Sequence, residues 1–306
     1  MKKYLCLICI LPVFAGNAQT ISDGLMMPAK NLCTGVLYTH DRWTNYWEGT
    51  LKRDNGNIGT LTTQSAMWVA AYGITKRLNA LAALPYVWTH ASQGTLAGQQ
   101  GIQDLTLALK FNLLNSKAEH HEFKAFVVGG FSTPLSNYTP DFLPLSIGTG
   151  TTNFSGRITL NYAFLKNFYI NFSGAYTWRS NIEIDRQAYY TNGQLYLTHE
   201  VWMPNVFDYF GSLGFHKGPL QTELNYSQQV TLGGDDIRRH DMPFPSNRMN
   251  FSKAGLLVMY YLPWPKYLAF RCAAHYTVSG RNVGQSTAIT TGLLYTIIFK
   301  DKQSQL

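Results

Sequence analysis

The densest charged run in the 306-residue chain is Asp235-Asp236-Ile237-Arg238-Arg239-His240-Asp241. Carboxylates and an imidazole this close can hold a divalent ion at a rim. The competing reading is a solvated loop whose own arginines satisfy the acids. Met242-Pro243-Phe244-Pro245 follows, and its prolines favour extended backbone over the mouth of whatever they border. A second set is dispersed. Lys110, Lys124, Arg157, Arg179, Asp208, Glu223, Lys253, Arg271 and His275 each fall on the polar side of an alternating stretch. Facing an enclosed interior, this basic excess favours anions or ligands with a carboxylate or phenolate. Alternatively the charges pair off, Arg157 and Lys110 against Glu223 and Asp208, and fill the interior. His120 and His121 are adjacent, so they point apart and make a poor metal pair. His275 and Ser279 approach a base and nucleophile in type, but their spacing gives nothing sharp. No phosphate loop, Walker motif or zinc motif occurs, so no catalytic residue, metal or cofactor is assigned.

The elements that carry these residues are strands. Leu105, Leu107, Leu109, Phe111 and Leu113 alternate with Thr106, Ala108, Lys110 and Asn112. Successive strand side chains point to opposite faces, so one face is apolar and the other polar. The pattern recurs at 157–164, 168–179 and 268–277, while 63–73 and 122–132 carry apolar residues on both faces. About twelve strands are expected, near 31–44, 61–73, 79–90, 102–113, 122–132, 150–164, 168–179, 204–215, 220–231, 248–262, 267–279 and 286–299. Connections after even strands are short, whereas most after odd strands are long and rich in Gly, Asn, Asp, Pro and Thr. That parity marks an all-β, antiparallel, up-and-down transmembrane barrel, because lipid offers no hydrogen bonds and the sheet must close on itself. An even strand number puts both termini on the periplasmic side. Residues 182–200 carry Asn192-Gly193, a hairpin signal. Two more membrane strands here would make fourteen, but Glu183, Asp185, Arg186, His199 and Glu200 suit a hairpin in water better. Trp43, Trp47, Trp88, Trp178, Trp202 and Trp264 stand near strand ends, where the headgroup level favours indole.

Aromatic and charged residues each make up 14% of the chain, without long apolar runs. That combination suits a barrel and disfavours a helical membrane protein. Residues 1–18 read as a cleaved export signal: Lys2 and Lys3, an apolar stretch over 4–14, then Ala15-Gly16-Asn17-Ala18. The expected mature domain is 19–306, in the outer membrane of a Gram-negative bacterium. The formal charge of +8 loses two with the leader. No cluster of Lys and Arg with interleaved aromatics suggests a nucleic acid. The expected partners are outer-membrane lipid and a small-molecule solute. Cys33 and Cys272 remain after cleavage; export permits a disulfide, and the alternative is two small apolar side chains in strands. Residues 19–30 read as a short plug or a tether.

Three stretches are familiar together. Tyr72-Gly73-Ile74-Thr75-Lys76-Arg77-Leu78 is a turn, Leu84-Pro85-Tyr86 lies in a strand, and Gly101-Ile102-Gln103-Asp104-Leu105-Thr106-Leu107-Ala108-Leu109-Lys110-Phe111 re-enters the barrel. They resemble, in the right order, the outer-membrane transporter family of the MetA-pathway of phenol degradation, a relative of fatty-acid and aromatic-hydrocarbon channels. Lys76 stands where the family more often has Asp. The resemblance covers about forty residues by motif and the rest by architecture. It places Gly73, Thr75, Arg77, Leu78, Pro85, Tyr86, Gly101, Asp104 and Lys110 on family positions whose mechanics are those of a barrel. It implies passive uptake of small hydrophobic or aromatic molecules, and no enzyme. Loops near 133–149, 180–203 and 232–247 would filter the mouth, with Tyr138, Phe142, Tyr189, Tyr190 and Phe244 meeting an apolar ligand or covering loop edges. The rivals are a barrel lipase or protease and a structural barrel with a filled lumen.

Overall fold

The computed structural model describes residues 19–191, 193–238 and 242–299. Twelve long strands form one antiparallel meander: β1 (Asn31–Trp43), β2 (Leu61–Gly73), β3 (Leu78–Ala91), β4 (Asp104–Lys117), β5 (Glu122–Pro134), β6 (Asn153–Phe164), β7 (Phe168–Arg179), β8 (Val206–Lys217), β9 (Leu220–Thr231), β10 (Asn250–Tyr261), β11 (Leu268–Arg281) and β12 (Thr287–Ile298). Each pairs with its sequence neighbours. β1 also pairs with β12, from Asn31↔Ile298 to Arg42↔Thr287, so the sheet has no open edge. Closure satisfies the backbone groups that lipid cannot.

Alternation decides which side chains face out. Leu109, Ile158, Phe172 and Leu224 are 53%, 60%, 54% and 62% exposed, whereas Lys110, Thr159, Ser173 and Glu223, on the opposite face of the same strands, are buried. A soluble protein does not display an apolar band of this extent to water; a barrel in hydrocarbon must. Aromatic rings border the band. Phe164, Phe168 and Phe215 stand ring to ring in a row at the end bearing the short turns, and Phe131, Phe154 and Trp178 do so at the end bearing the long loops. Only some of the tryptophans join these belts. Trp88 and Trp178 lie on outward faces, and Trp264 stands in a short turn. Trp47 is buried against Gly280 in the mouth, and Trp43 lines a cavity there.

Residues 182–200 do not cross the membrane. Ile182–Glu183 pairs with Glu200–Val201, and Tyr189–Thr191 pairs with Gln194–Tyr196, in a hairpin separate from the barrel sheet. The barrel therefore has twelve strands, and Asn192 lies outside the described residues. The first long loop holds its own hairpin, Asn45–Glu48 with Leu51–Asp54. Above Ala83↔Thr106 the β3–β4 ladder stops, and Gln100–Ile102 takes over as a short separate strand beside Tyr86–Trp88. Pro85 has no N–H to donate at this break; its carbonyl accepts from Gln103 N at 2.9 Å. Cys33 points into the lumen and Cys272 away from it, with β12 between their strands, and both are free thiols.

Candidate functional site

The lumen is occupied from the end that holds both termini. Residues 19–28 fold back inside the barrel rather than trailing from it. Asp23 shapes the segment by accepting from the backbone N–H groups of Thr20 and, at 2.9 Å, Leu25. Lys110 on β4 then fixes it. An ammonium has three donors, and three acceptors surround this one: Thr20 O at 3.1 Å, Asp23 O at 2.7 Å and Asp23 Oδ1 at 2.9 Å. Lys110 is fully buried, with its Nζ 5.0 Å from the centre of the Phe126 ring. Met27 packs among Leu37, Leu257, Met259, Tyr261 and Leu294. Gly73, the family-motif glycine at the end of β2, is needed for close approach: a Cβ there would stand 2.0 Å from Pro28 O.

Around this segment the lumen wall has two characters. Over β6–β9 it is a hydrogen-bonded polar surface. Arg157 Nη1 donates to Ser173 Oγ at 2.7 Å, and Thr159 donates to the same oxygen at 3.1 Å. Asn161, Asn171 and Ser212 form a chain at 2.7 and 3.0 Å. Tyr169 donates to Glu223 Oε1 at 2.6 Å, and Gln221 Nε2 donates to it at 2.9 Å. Asp208 acts through space on Arg157 and Arg179. Lys124 pairs with Glu122 at 2.9 Å and borders a polar cavity of about 180 Å³ shared with Asp23 and Glu223. The pairing of Lys110 and Arg157 against Glu223 and Asp208 is thus only partly realised: Lys110 turns to the N-terminal segment, and Glu223 is held by a phenol and an amide.

Over β1–β4 and β10–β12 the wall is apolar. A cavity of about 330 Å³ opens here, lined by Cys33, Leu37, Met67, Val69, Ala71, Leu81 and Leu294, with residues 19–21 as its floor. Arg271 is the charged residue lining this cavity. Its Nε is buried without a hydrogen-bond partner, and its electrostatic neighbours Asp23, Glu223 and Tyr261 act without a direct ion pair. His275 lies across Gly255, whose missing Cβ makes the room. Lys253 Nζ sits 4.9 Å from the Phe251 ring and acts on His275 and on Asp41 of β1. His275 and Ser279 are four residues apart on one strand, about 13 Å, beyond hydrogen-bond reach. His121 instead stacks on Tyr162 and meets its hydroxyl at 2.8 Å at the turn end.

The long loops interlock over the opposite mouth. Arg186 forms a bidentate pair with Asp141, which raises the guanidinium pKa, and stands 5.3 Å from the Phe244 ring. Tyr189 stacks between Tyr196 and Phe244, and the Arg238 guanidinium lies 3.6 Å from the Tyr190 ring centre. Phe142 remains exposed. Asp236 takes two 2.7 Å bonds from Arg281 and one of 2.8 Å from Asn282; the Arg281 hydrogen bonds hold its carboxyl below the usual carboxylate range. The acid therefore finds its guanidinium on β11, not within its own run. Asp235 receives the Gly193 N–H at 3.3 Å. Arg239, His240 and Asp241 lie outside the described residues. Among the described residues no group of three potential ligands gathers around a metal position.

The family-motif residues have identifiable tasks. Thr75 Oγ1 accepts from the N–H groups of Arg77 and Leu78 at 3.1 and 3.0 Å, closing the turn. Tyr86 faces outward beside Trp88. Gly101 sits close to Ser136 and Ile147, and Arg77 O receives Asn112 N. Asp104 accepts from Tyr138 Oη at 2.6 Å, and that oxygen in turn accepts from Gly150 N at 3.1 Å, which pins the 133–149 loop. Burial, then Asp104, raises the Tyr138 phenol above its ordinary pKa. Sequence reasoning missed Asp23, Tyr169 and Gln221. The one available signal for the apolar wall was the failed alternation at 63–73.

Comparison with known proteins fits this architecture. An outer-membrane channel from Pseudomonas putida F1 superposes with a TM-score of 0.70 at 13% identity, covering 89% of this chain and 97% of that one. The NanC porin gives 0.47 at 10% identity over 85% and 98%. The CymD monoaromatic hydrocarbon channel gives 0.40 at 11% over 90% of each chain. No curated protein sequence matches. The model of the family described as MetA-pathway of phenol degradation matches residues 60–263, two thirds of the sequence, and the chain belongs to that family.

Proposed function

We propose that the protein is a passive outer-membrane channel for small hydrophobic or aromatic molecules, exported by a cleaved leader over residues 1–18 and embedded in the lipid of a Gram-negative outer membrane. The observation that carries this reading is the apolar cavity of about 330 Å³ inside the lumen. A dry cavity of about 150 Å³ is enough to hold benzene. Solutes arrive through the interlocked long loops, lodge against Leu37, Val69 and Leu81, and pass residues 19–28 when that segment yields. Arg271 would give a carboxylate or phenolate its counter-charge, since charge-assisted hydrogen bonds are the strong ones. No chemical step is assigned. The channels among the neighbours support transport over hydrolysis, and His275 and Ser279 stand too far apart for a base and nucleophile.

One observation favours a second reading. Lys110 and Asp23 hold the N-terminal segment inside the barrel, which also describes a structural barrel with a filled lumen. Liposome swelling decides between them. The channel reading expects phenol-like solutes to cross and sugars of similar mass to lag. It expects Arg271→Met to slow benzoate more than neutral phenol. Failure of every solute to cross the intact protein, with passage gained once residues 19–28 are deleted, leaves the filled barrel.

A further inference from the structure

The outward surface is apolar almost everywhere near the long-loop end, where Phe154, Tyr176, Trp178, Tyr209 and Val278 are exposed. One arc departs from this. On β1, β2 and β3, register places residues in rows across three adjacent strands. Tyr38, Ala66 and Tyr86 form the row nearest the membrane centre; His40, Gln64 and Trp88 form the next; Arg42, Thr62 and His90 form the last. All nine share the outward face, because inward Leu37, Leu61 and Val87 are buried on alternate positions of the same strands. The arc thus grades from aromatic to basic within two steps along the strands.

Among the described strand residues, His40, Arg42 and His90 are the ionisable groups other than tyrosine that alternation turns outward in this half of the barrel. Arg281, at the tip of β11, is engaged by Asp236. The side chains of Arg42 and His90 form no hydrogen bond or ion pair among the described residues, so their donors await something outside the chain. Below them the surface is built: Tyr38 and Trp88 lie 6.2 Å apart, Tyr86 and Trp88 6.1 Å apart, and Tyr38 donates to Gln64. A cation on a lipid-facing strand is tolerated at the interface and opposed at midplane. Rings at the headgroup boundary with cations one row above form a surface matched to a lipid whose anionic group caps apolar chains.

We propose that this face of β1–β3 binds the phosphate of an outer-leaflet lipid headgroup. The Arg42 guanidinium takes the phosphate through paired N–H donors. His40 and His90 add ring N–H donors, and Thr62 and Gln64 add hydroxyl and amide donors. Strand spacing puts Arg42 and His90 about 10 Å apart, the span of one phosphorylated sugar headgroup. Tyr38, Tyr86 and Trp88 pack on the roots of its acyl chains. The site is independent of what crosses the lumen; it requires only that the barrel sits in a membrane.

The test measures binding of a bis-phosphorylated glucosamine-based glycolipid to the purified, folded full-length barrel in detergent, by native mass spectrometry. The wild-type protein is expected to retain this lipid on the order of tenfold better than its dephosphorylated form, the worth of one good charge-assisted contact. The triple variant His40→Ala, Arg42→Ala, His90→Ala is expected to lose that preference. Lys217→Ala, an exposed lysine at the opposite end of the barrel, keeps it. The proposal is overturned if the wild-type protein binds both lipids equally, a comparison that needs no variant to fold. Retention of the preference by the triple variant, or its loss in Lys217→Ala, overturns it as well.

Discussion

The two halves of the lumen wall are made of similar strands and do different things. Over β6–β9, polar side chains meet one another: Arg157 with Ser173, Asn161 with Asn171 and Ser212, Tyr169 and Gln221 with Glu223. Buried polar groups satisfied in this way rigidify a wall. Over β1–β4 and β10–β12 the inward residues are Leu37, Met67, Val69, Ala71, Leu81 and Leu294 beside open volume. The polar half spends most of its groups on one another, leaving Gln221 Oε1 and Asn225 Oδ1 unpaired among the described residues, whereas the apolar half offers volume and, at its cavity, the unpartnered Nε of Arg271. A barrel can therefore keep a stiff wall and a receptive one in a single ring, with the N-terminal segment standing between them.

Four changes would break or sharpen this contrast. The largest effect is expected from Lys110→Met. Removing one partner of a buried ion pair costs ~3–5 kcal/mol because the other charge is stranded, here Asp23. The loss falls on docking of residues 19–28, since the closed ladder of strands does not depend on it. Permeation in liposomes should rise severalfold, and protease should cut near residue 23; unchanged permeation would mean the segment is no barrier. Next, Val69→Phe fills the apolar cavity. Overpacking costs about 1–3 kcal/mol, and passage of phenol-sized solutes should largely cease; undiminished passage places the route elsewhere.

The polar half should respond oppositely. Asn171→Leu leaves Asn161 and Ser212 without their partner, at about 1–3 kcal/mol for a buried orphan. The melting temperature should fall while permeation of phenol-like solutes stays the same. A change in permeation would show that the polar wall belongs to the path. The smallest effect concerns the loops. The Asp236 carboxyl is held low by Arg281, so its contribution is present above the ordinary carboxylate range near 4 and is lost as pH falls through the depressed value. The pair is half-exposed, so its worth is about 1 kcal/mol or less. Loop protection from protease should weaken below about pH 4 in the wild type, and Asp236→Asn should remove that dependence.

Much of the architecture was readable from particular residues. Phe168 to Arg179 and Leu220 to Thr231 were bounded to the residue, because clean alternation fixes both face and register. The loop-length parity gave the closed meander, and the acidic and basic residues of 182–200 kept that hairpin out of the membrane. The stretches at 63–73 and 122–132 blurred the pattern for a physical reason. Their inward residues, Met67, Val69 and Ala71 on β2, and Phe126 and Val128 on β5, are apolar because they face the cavity and the Lys110 latch. Residues 19–30 were undecided between plug and tether, since nothing local in Ser22-Asp23-Gly24 says that a lysine nearly ninety residues away will claim its carboxylate.

The chain by itself determined which side chains share a face, because a strand alternates whatever surrounds it. It also determined that the sheet closes, because lipid leaves no other partner for the backbone. Tertiary structure decided who meets whom across the lumen. Lys110 reaches Asp23 rather than Glu223, Asp236 reaches Arg281 rather than Arg238, and Cys33 and Cys272 stay apart. Those pairings depend on where twelve strands stand around a ring, and no local spacing in the sequence carries that distance.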